Sequence, residues 1–199
     1  MTVRADLMIS LDGFGTGEGQ SIDTPFGHAG MRLAQAMHGT ASFNSRVLGT
    51  PGGTRGINDA FAVQYFDGVG AEIMGANKFG PPGWQENEEW KGWWGDTPPW
   101  TCPVFVLTHS PRADLEFPDM SFRFLDAPIE EALERATAAA NGLDVRIGGG
   151  PSTARAYLAA GLIDVLHLTI VPIVLGRGVA LWEGLEGFES EFVGESVSA

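Results

Sequence analysis

The stretch "RIGGGPSTARAYLAAG", Arg146–Gly161, decides the reading of the chain. Three consecutive glycines stand between two ordered segments. "DVRIGG" (Asp144–Gly149) reads as a buried strand, and "STARAYLAAG" (Ser152–Gly161) reads as a helix closed by Gly161. Glycine in that position means either a tight turn or something that must come close to the main chain. The helix that follows offers free N–H groups and the positive end of its dipole, which suit a phosphate. Two readings therefore stand side by side: a phosphate cradle, and a plain strand-to-helix turn capped by Ser152 or Thr153. Neither G-x-G-x-x-G nor G-x-x-x-x-G-K-[ST] occurs, so the common nucleotide motifs are absent.

Working outward, strands and helices alternate. "ADLMISL" (Ala5–Leu11) reads as a short buried strand ended by Asp12-Gly13, and residues 12–30 as a long loop. "HAGMRLAQAMH" (His28–His38) has helical spacing, residues 39–58 read as loop, and "NDAFAVQYFDGVG" (Asn58–Gly70) as a helix capped by Asn58. "AEIMG" (Ala71–Gly75), "PVFVLTH" (Pro103–His109), "SFRFLD" (Ser121–Asp126) and "DVLHLTIVPIVL" (Asp164–Leu175) read as further strands. "PIEEALERATAA" (Pro128–Ala139) is a helix with Pro at its start and acids in its first turn. The last 20 residues suggest a final hairpin. This order predicts an α/β fold: a three-layer αβα sandwich with a mostly parallel central sheet and antiparallel C-terminal strands. No linker or repeat divides residues 1–199, so a single domain is expected.

The chain carries 12 Lys+Arg against 25 Asp+Glu, for a net charge of −13. That balance argues against nucleic acid or an anionic membrane as a partner. Glycine is abundant, 28 of 199 residues, about twice the usual ~7%. Cys102 is the one cysteine and the four histidines are widely spaced, which excludes a Cys-rich metal site and an internal disulfide. The apolar run near the N-terminus is too short for a signal segment or a membrane span, so a cytoplasmic protein is expected.

The strand ends carry an ordered set: "ISLDGF", "MGANKFG", "LTHSPR" and "IGGGPST". In this order they resemble the dihydrofolate reductase-like superfamily. The chain is most similar to the reductase domain of riboflavin-biosynthesis deaminase-reductases, in its stand-alone form, from about residue 5 to 183. Nothing matches the H-x-E and P-C-x-x-C of the deaminase half.

The resemblance implies a reductase that passes hydride from NADPH to a small pteridine- or pyrimidine-like heterocycle, in a homodimer. It implies that Gly148, Gly149, Gly150, Pro151, Ser152 and Thr153 hold the pyrophosphate, and that Thr108, His109 and Ser110 flank the adenosine. The turn Gly75, Ala76, Asn77, Lys78 to Phe79 matches a family segment that normally reads Gly-Arg-x-Thr. Ala76 stands at the Arg position, which removes a bidentate ligand for the 2′-phosphate. Lys78, Arg112 or Arg55 would have to replace it; otherwise NADH becomes the cofactor, or the chain is a non-catalytic binding relative. Asp12, with Phe14, matches the segment beside the substrate pocket. A carboxyl in an apolar pocket can hold a raised pKa and supply a proton, and Asp12 is the catalytic candidate. Asp23 is a second carboxylate near the substrate. Five tryptophans lie in residues 84–100, and Trp84 is the substrate-stacking candidate beside the plainer reading of a loop anchored by its indoles. His167 reads as a core residue and Arg177 as a turn residue.

Overall fold

In the computed structural model, which describes residues 1–197, the strands are β1 Val3–Ser10, β2 Phe14–Thr16, β3 Val69–Gly75, β4 Val104–Leu107, β5 Leu115–Glu116, β6 Ser121–Leu125, β7 Asp144–Gly149, β8 Val165–Val171 and β9 Val179–Ala180. The α-helices are α1 Gln35–His38, α2 Ala41–Phe43, α3 Ile57–Gln64, α4 Ala76–Phe79, α5 Ile129–Ala139 and α6 Pro151–Ala159. Seven strands form the central sheet in the order β5-β6-β4-β3-β7-β1-β8. Every neighbouring pair is parallel except β5–β6. β2 and β9 form a small antiparallel pair.

Side-chain alternation sorts the sheet into two faces. Ala5, Ile9, Ala71, Ile73, Val145 and Ile147 face α5 and α6 and pack on Ala132, Ala136, Ala154, Tyr157 and Leu158. The alanines let these helices lie close, and the Tyr157 hydroxyl donates to the Ile129 carbonyl at 2.9 Å, tying α6 to the start of α5. On the opposite face Met74, Val104, Val106, Phe122 and Phe124 meet Phe66, Phe79, Trp84 and Trp100. Here the covering layer is largely irregular chain and short helices, and only α3 is a helix of two turns.

Several local expectations shift. The helix expected over residues 28–38 splits into a 3₁₀ segment, Gly27–Arg32, and α1, because Gly30 takes φ 56° and ψ −154°. The expected loop 39–58 holds α2 and a π-turn over Asn44–Leu48. Gly56, not Asn58, precedes the first turn of α3, and that helix ends at Gln64. The final hairpin is replaced by β9 returning to β2: Asp12 accepts the Leu175 and Gly176 N–H groups, and Leu181 N–H reaches the Gly13 carbonyl. The chain therefore leaves the sheet after Val171 and crosses back over the loop that follows β1.

Candidate functional site

The carboxyl ends of β1, β3, β4 and β7 open onto one cavity of about 1030 Å³. That is the top of the range for small-molecule sites, roughly 300–1,000 Å³. One wall is the turn after β3 (Gly75, Ala76, Asn77, Lys78) and the turn after β7 (Gly148, Gly150, Pro151, Ser152, Thr153). The lining also holds apolar and aromatic side chains, Phe43, Leu48, Phe61, Trp93 and Trp94 among them. Asp6, Met8, His167 and Thr169 form the floor on β1 and β8.

The three glycines have three different reasons. A Cβ on Gly148 would lie 2.1 Å from Glu72 Oε1 and 2.7 Å from Lys78 Nζ, so this glycine makes room for a buried ion pair. Gly149 has φ 98° in the left-handed region that favours glycine. Gly150 has open space where its Cβ would be and precedes the first turn of α6. Neither Ser152 nor Thr153 caps the helix: both lie inside its first turn, after Pro151. Their N–H groups precede the first possible intrahelical donor and lie on the cavity wall. Thr153 comes so close to Gly75 that a Cβ there would meet its hydroxyl at 2.3 Å. This wall of exposed main chain at a helix N-terminus fits a pyrophosphate.

Beneath it runs a buried network. Glu72 of β3 and Arg146 of β7 are fully buried and in register. Glu72 Oε2 accepts from Arg146 at 2.7 Å and from Trp100 Nε1 at 2.6 Å. Its Oε1 accepts from Lys78 Nζ at 3.0 Å. Lys78 Nζ also donates to the Gly148 carbonyl at 2.5 Å and to the Tyr65 hydroxyl at 3.3 Å. A lysine ammonium has three donors, and all three are engaged. Lys78 is thus neither a solvated loop residue nor a free substitute for the missing arginine.

The other substitutes are engaged too. Arg112 donates to the Asn87 and Trp90 carbonyls, and exposed Arg55 pairs with Asp59. Of the 12 Lys and Arg side chains, Arg4, Arg123, Arg135, Arg155, Arg177 and Lys91 pair with carboxylates. Arg32 and Arg46 donate to main-chain carbonyls. With Arg55, Lys78, Arg112 and Arg146, every cation in the chain has a protein partner.

The remaining expected residues lie off the cavity wall. Asp12 is exposed, and its carboxylate accepts from Ser10 Oγ at 2.6 Å, Leu175 N at 3.1 Å and Gly176 N at 2.7 Å. The Ser10 hydroxyl is the largest influence; desolvation pushes the other way, and the Gly176 and Leu175 N–H groups add to Ser10 to hold the carboxyl down at about 2. That is the reverse of the raised pKa expected of a proton donor, because the carboxyl meets donors and not an apolar pocket. Phe14 packs on Ala29, Leu33, Val171 and Leu175 as core. Asp23 sits exposed in the loop closed by the Ser21–Thr24 turn. Trp84 is buried between Phe79 and Phe124, with centroids 4.7 and 5.5 Å away. The tryptophans that reach the cavity are Trp93 and Trp94. Gly149 lies behind the wall. Thr108 is buried, and Ser110 N donates to its hydroxyl at 3.1 Å. His109 is fully exposed beside Asp126.

Sequence reasoning placed the loops at the strand ends but missed the floor. Asp6, Glu72, Arg146 and His167 are ionisable residues set inside largely apolar strands, β1 and β7 carrying Arg4 and Asp144 besides. Lateral strand pairing puts all four on one face, a pattern the residues carry but that needs the register to be seen.

The solved structure of a protein from Shewanella sp. PV-4, provisionally named a riboflavin biosynthesis protein, is 21% identical, with a TM-score of 0.55 over 91% of this chain and 82% of its own. A pyrimidine reductase-like protein from Corynebacterium diphtheriae is 18% identical, with a TM-score of 0.47 over 91% of this chain and 79% of its own. No curated protein matches the sequence. The family model described as the RibD C-terminal domain matches residues 1–194. With the mostly parallel sheet and its helical layers, this bears out the dihydrofolate reductase-like αβα fold. The chain belongs to the RibD C-terminal domain family.

Proposed function

We propose that the protein is a nicotinamide-dependent reductase acting on a small pteridine- or pyrimidine-like heterocycle. Membership of the RibD C-terminal domain family supports a reductase-type role. The observation that carries the finer reading is one cavity lined both by main chain at the α6 N-terminus and by aromatic side chains. The glycine turn and the Ser152 and Thr153 N–H groups would hold the pyrophosphate, with Gly75–Lys78 beside it. The strand-end residues Thr108–Ser110 would flank the adenosine. A bound dihydronicotinamide supplies hydride; the protein places it and excludes water. Phe43, Phe61, Trp93 and Trp94 would take the flat face of the substrate. Asp12 fixes the 175–176 turn that backs this arrangement.

Ala76, with every neighbouring cation engaged, leaves no free guanidinium for a 2′-phosphate. NADH is therefore as suited to the site as NADPH. The same feature favours a second reading, a binding relative without turnover. Calorimetric titration with NADPH and NADH in parallel tests the first reading: binding of either supports it, and binding of neither at millimolar concentration removes it. Oxidation of the bound cofactor by a pterin or pyrimidine then decides between enzyme and binding relative. We further propose a cytoplasmic homodimer. Edge strand β8, half-exposed along its length with Ile170 58% exposed, supports pairing. A monomeric mass by light scattering would rule that out.

A further inference from the structure

We propose that His167 is the proton donor of this site and that Asp6 is the residue that positions it, a proposal that rests on the reductase reading above. Asp6 and His167 are directly paired across β1 and β8, so both side chains leave the same face of the sheet. Asp6 Oδ1 and His167 Nδ1 are 2.9 Å apart, and both residues line the cavity. The carboxylate fixes the proton on Nδ1, which turns the other ring nitrogen outward. Nε2 has no protein partner among the described residues. Phe61 of α3 covers the ring edge-on at 6.0 Å.

Asp6 favours an imidazolium at His167. From β7, Arg146 Nε lies 3.3 Å from Asp6 Oδ2, and from β1, Arg4 Nε lies 3.8 Å from the same oxygen. The hydrogen bond to Asp6 raises the His167 pKa, against burial and the repulsion of Arg4. The other ionisable groups of the cavity are held elsewhere. Lys78 is bound to Glu72, Gly148 and Tyr65, and Glu18 pairs with Arg177 at 3.1 Å. His38 stacks on Phe43 at 4.6 Å, and its burial lowers its pKa. Tyr65, whose hydroxyl accepts from Lys78 Nζ at 3.3 Å, completes the ionisable lining, and His167 is the imidazole there that a carboxylate holds.

The step balances. When hydride bonds to the carbon of a substrate C=N, the π pair moves to nitrogen, which takes the proton from His167 Nε2. The double bond is saturated, the dihydronicotinamide is left oxidised, and neutral imidazole regains a proton from water.

The test uses the whole protein and 7,8-dihydropterin. Ring resonances of the four histidines are followed by NMR, with His167 assigned through its contact with Phe61 and through its loss in His167→Gln. We expect His167 to titrate above His38 and to shift when the pterin is added, and Asp6→Asn to lower its titration point. In turnover we expect His167→Gln to lower kcat by about 10²- to 10⁴-fold with the cofactor KM unchanged. Activity should fall as pH rises through the raised His167 pKa, and Asp6→Asn should move that limb to lower pH. A His167 ring that does not respond to bound pterin, or a His167→Gln enzyme with normal kcat and the same alkaline limb, overturns the donor and leaves the reductase reading intact. Failure of the wild type to bind either nicotinamide dinucleotide overturns the reading and the donor together.

Discussion

Gly148 and Gly150 are two residues apart and do different things. At Gly148 the missing Cβ makes room for Glu72 and Lys78, at 2.1 and 2.7 Å, and the crowding atoms belong to a buried ion pair. Gly148→Ala must displace that pair, so we expect a loss of about 1–3 kcal/mol, the usual cost of overpacking, read as a lower denaturation midpoint. At Gly150 there is open space toward the cavity. Gly150→Ala should leave the midpoint close to wild type and weaken nicotinamide dinucleotide binding by about tenfold, ~1.4 kcal/mol, by calorimetry. Equal effects of the two substitutions on stability would overturn this division of roles. Glu72→Gln provides the companion result. Glu72 serves Arg146, Trp100 and Lys78 from a fully buried position. Removing its charge leaves Lys78 without its anion and Arg146 with Asp6 alone, and we expect a loss of about 3–5 kcal/mol in chemical denaturation. The sequence carried the glycine run plainly. Which glycine served packing and which served the cavity depended on Glu72, 76 positions earlier in the chain, and no local pattern reports that distance.

Among the elements, strands and the two long helices were legible because their patterns are strong. β7 matches its expected bounds, Asp144–Gly149, and α5 begins where Pro128 and its acids place it. The irregular layer was not. Residues 27–48 break into short pieces because glycines with positive φ and Thr40, whose hydroxyl accepts the Phe43 N–H, override helical spacing. The tryptophan segment shows the same limit. Composition suggested stacking and anchoring alike, and the structure assigns the two to different indoles. Trp84 and Trp100 are core, the latter fixed by its bond to Glu72, while Trp93 and Trp94 face the cavity. A ligand that enters should therefore change the emission of Trp93. We expect Trp93→Phe to lose most of the ligand-dependent fluorescence change, and Trp84→Phe to keep it while lowering thermal stability. Quenching retained when Trp93→Phe and Trp94→Phe are combined would place the ligand elsewhere.

At the scale of the molecule, a rigid parallel sheet supplies one side of the cavity and loosely structured chain supplies the other. The family and its layers followed from the order of strand-end motifs, but the polar floor did not, since pairing of β1 with β8 joins residues about 160 positions apart. The engagement of all 12 cations also bears on how fast ligands arrive. A dinucleotide is an anion, and it approaches a protein of net charge −13. The electrostatic attraction at the cavity comes from the N-terminus of α6, which acts over about one helical turn. At longer range the field is repulsive, and dissolved salt weakens it. Stopped-flow association of NADH should therefore accelerate as ionic strength rises, the opposite of what electrostatic steering produces. The encounter is an uphill approach to a short-range trap, and added salt lowers the hill more than it fills the trap.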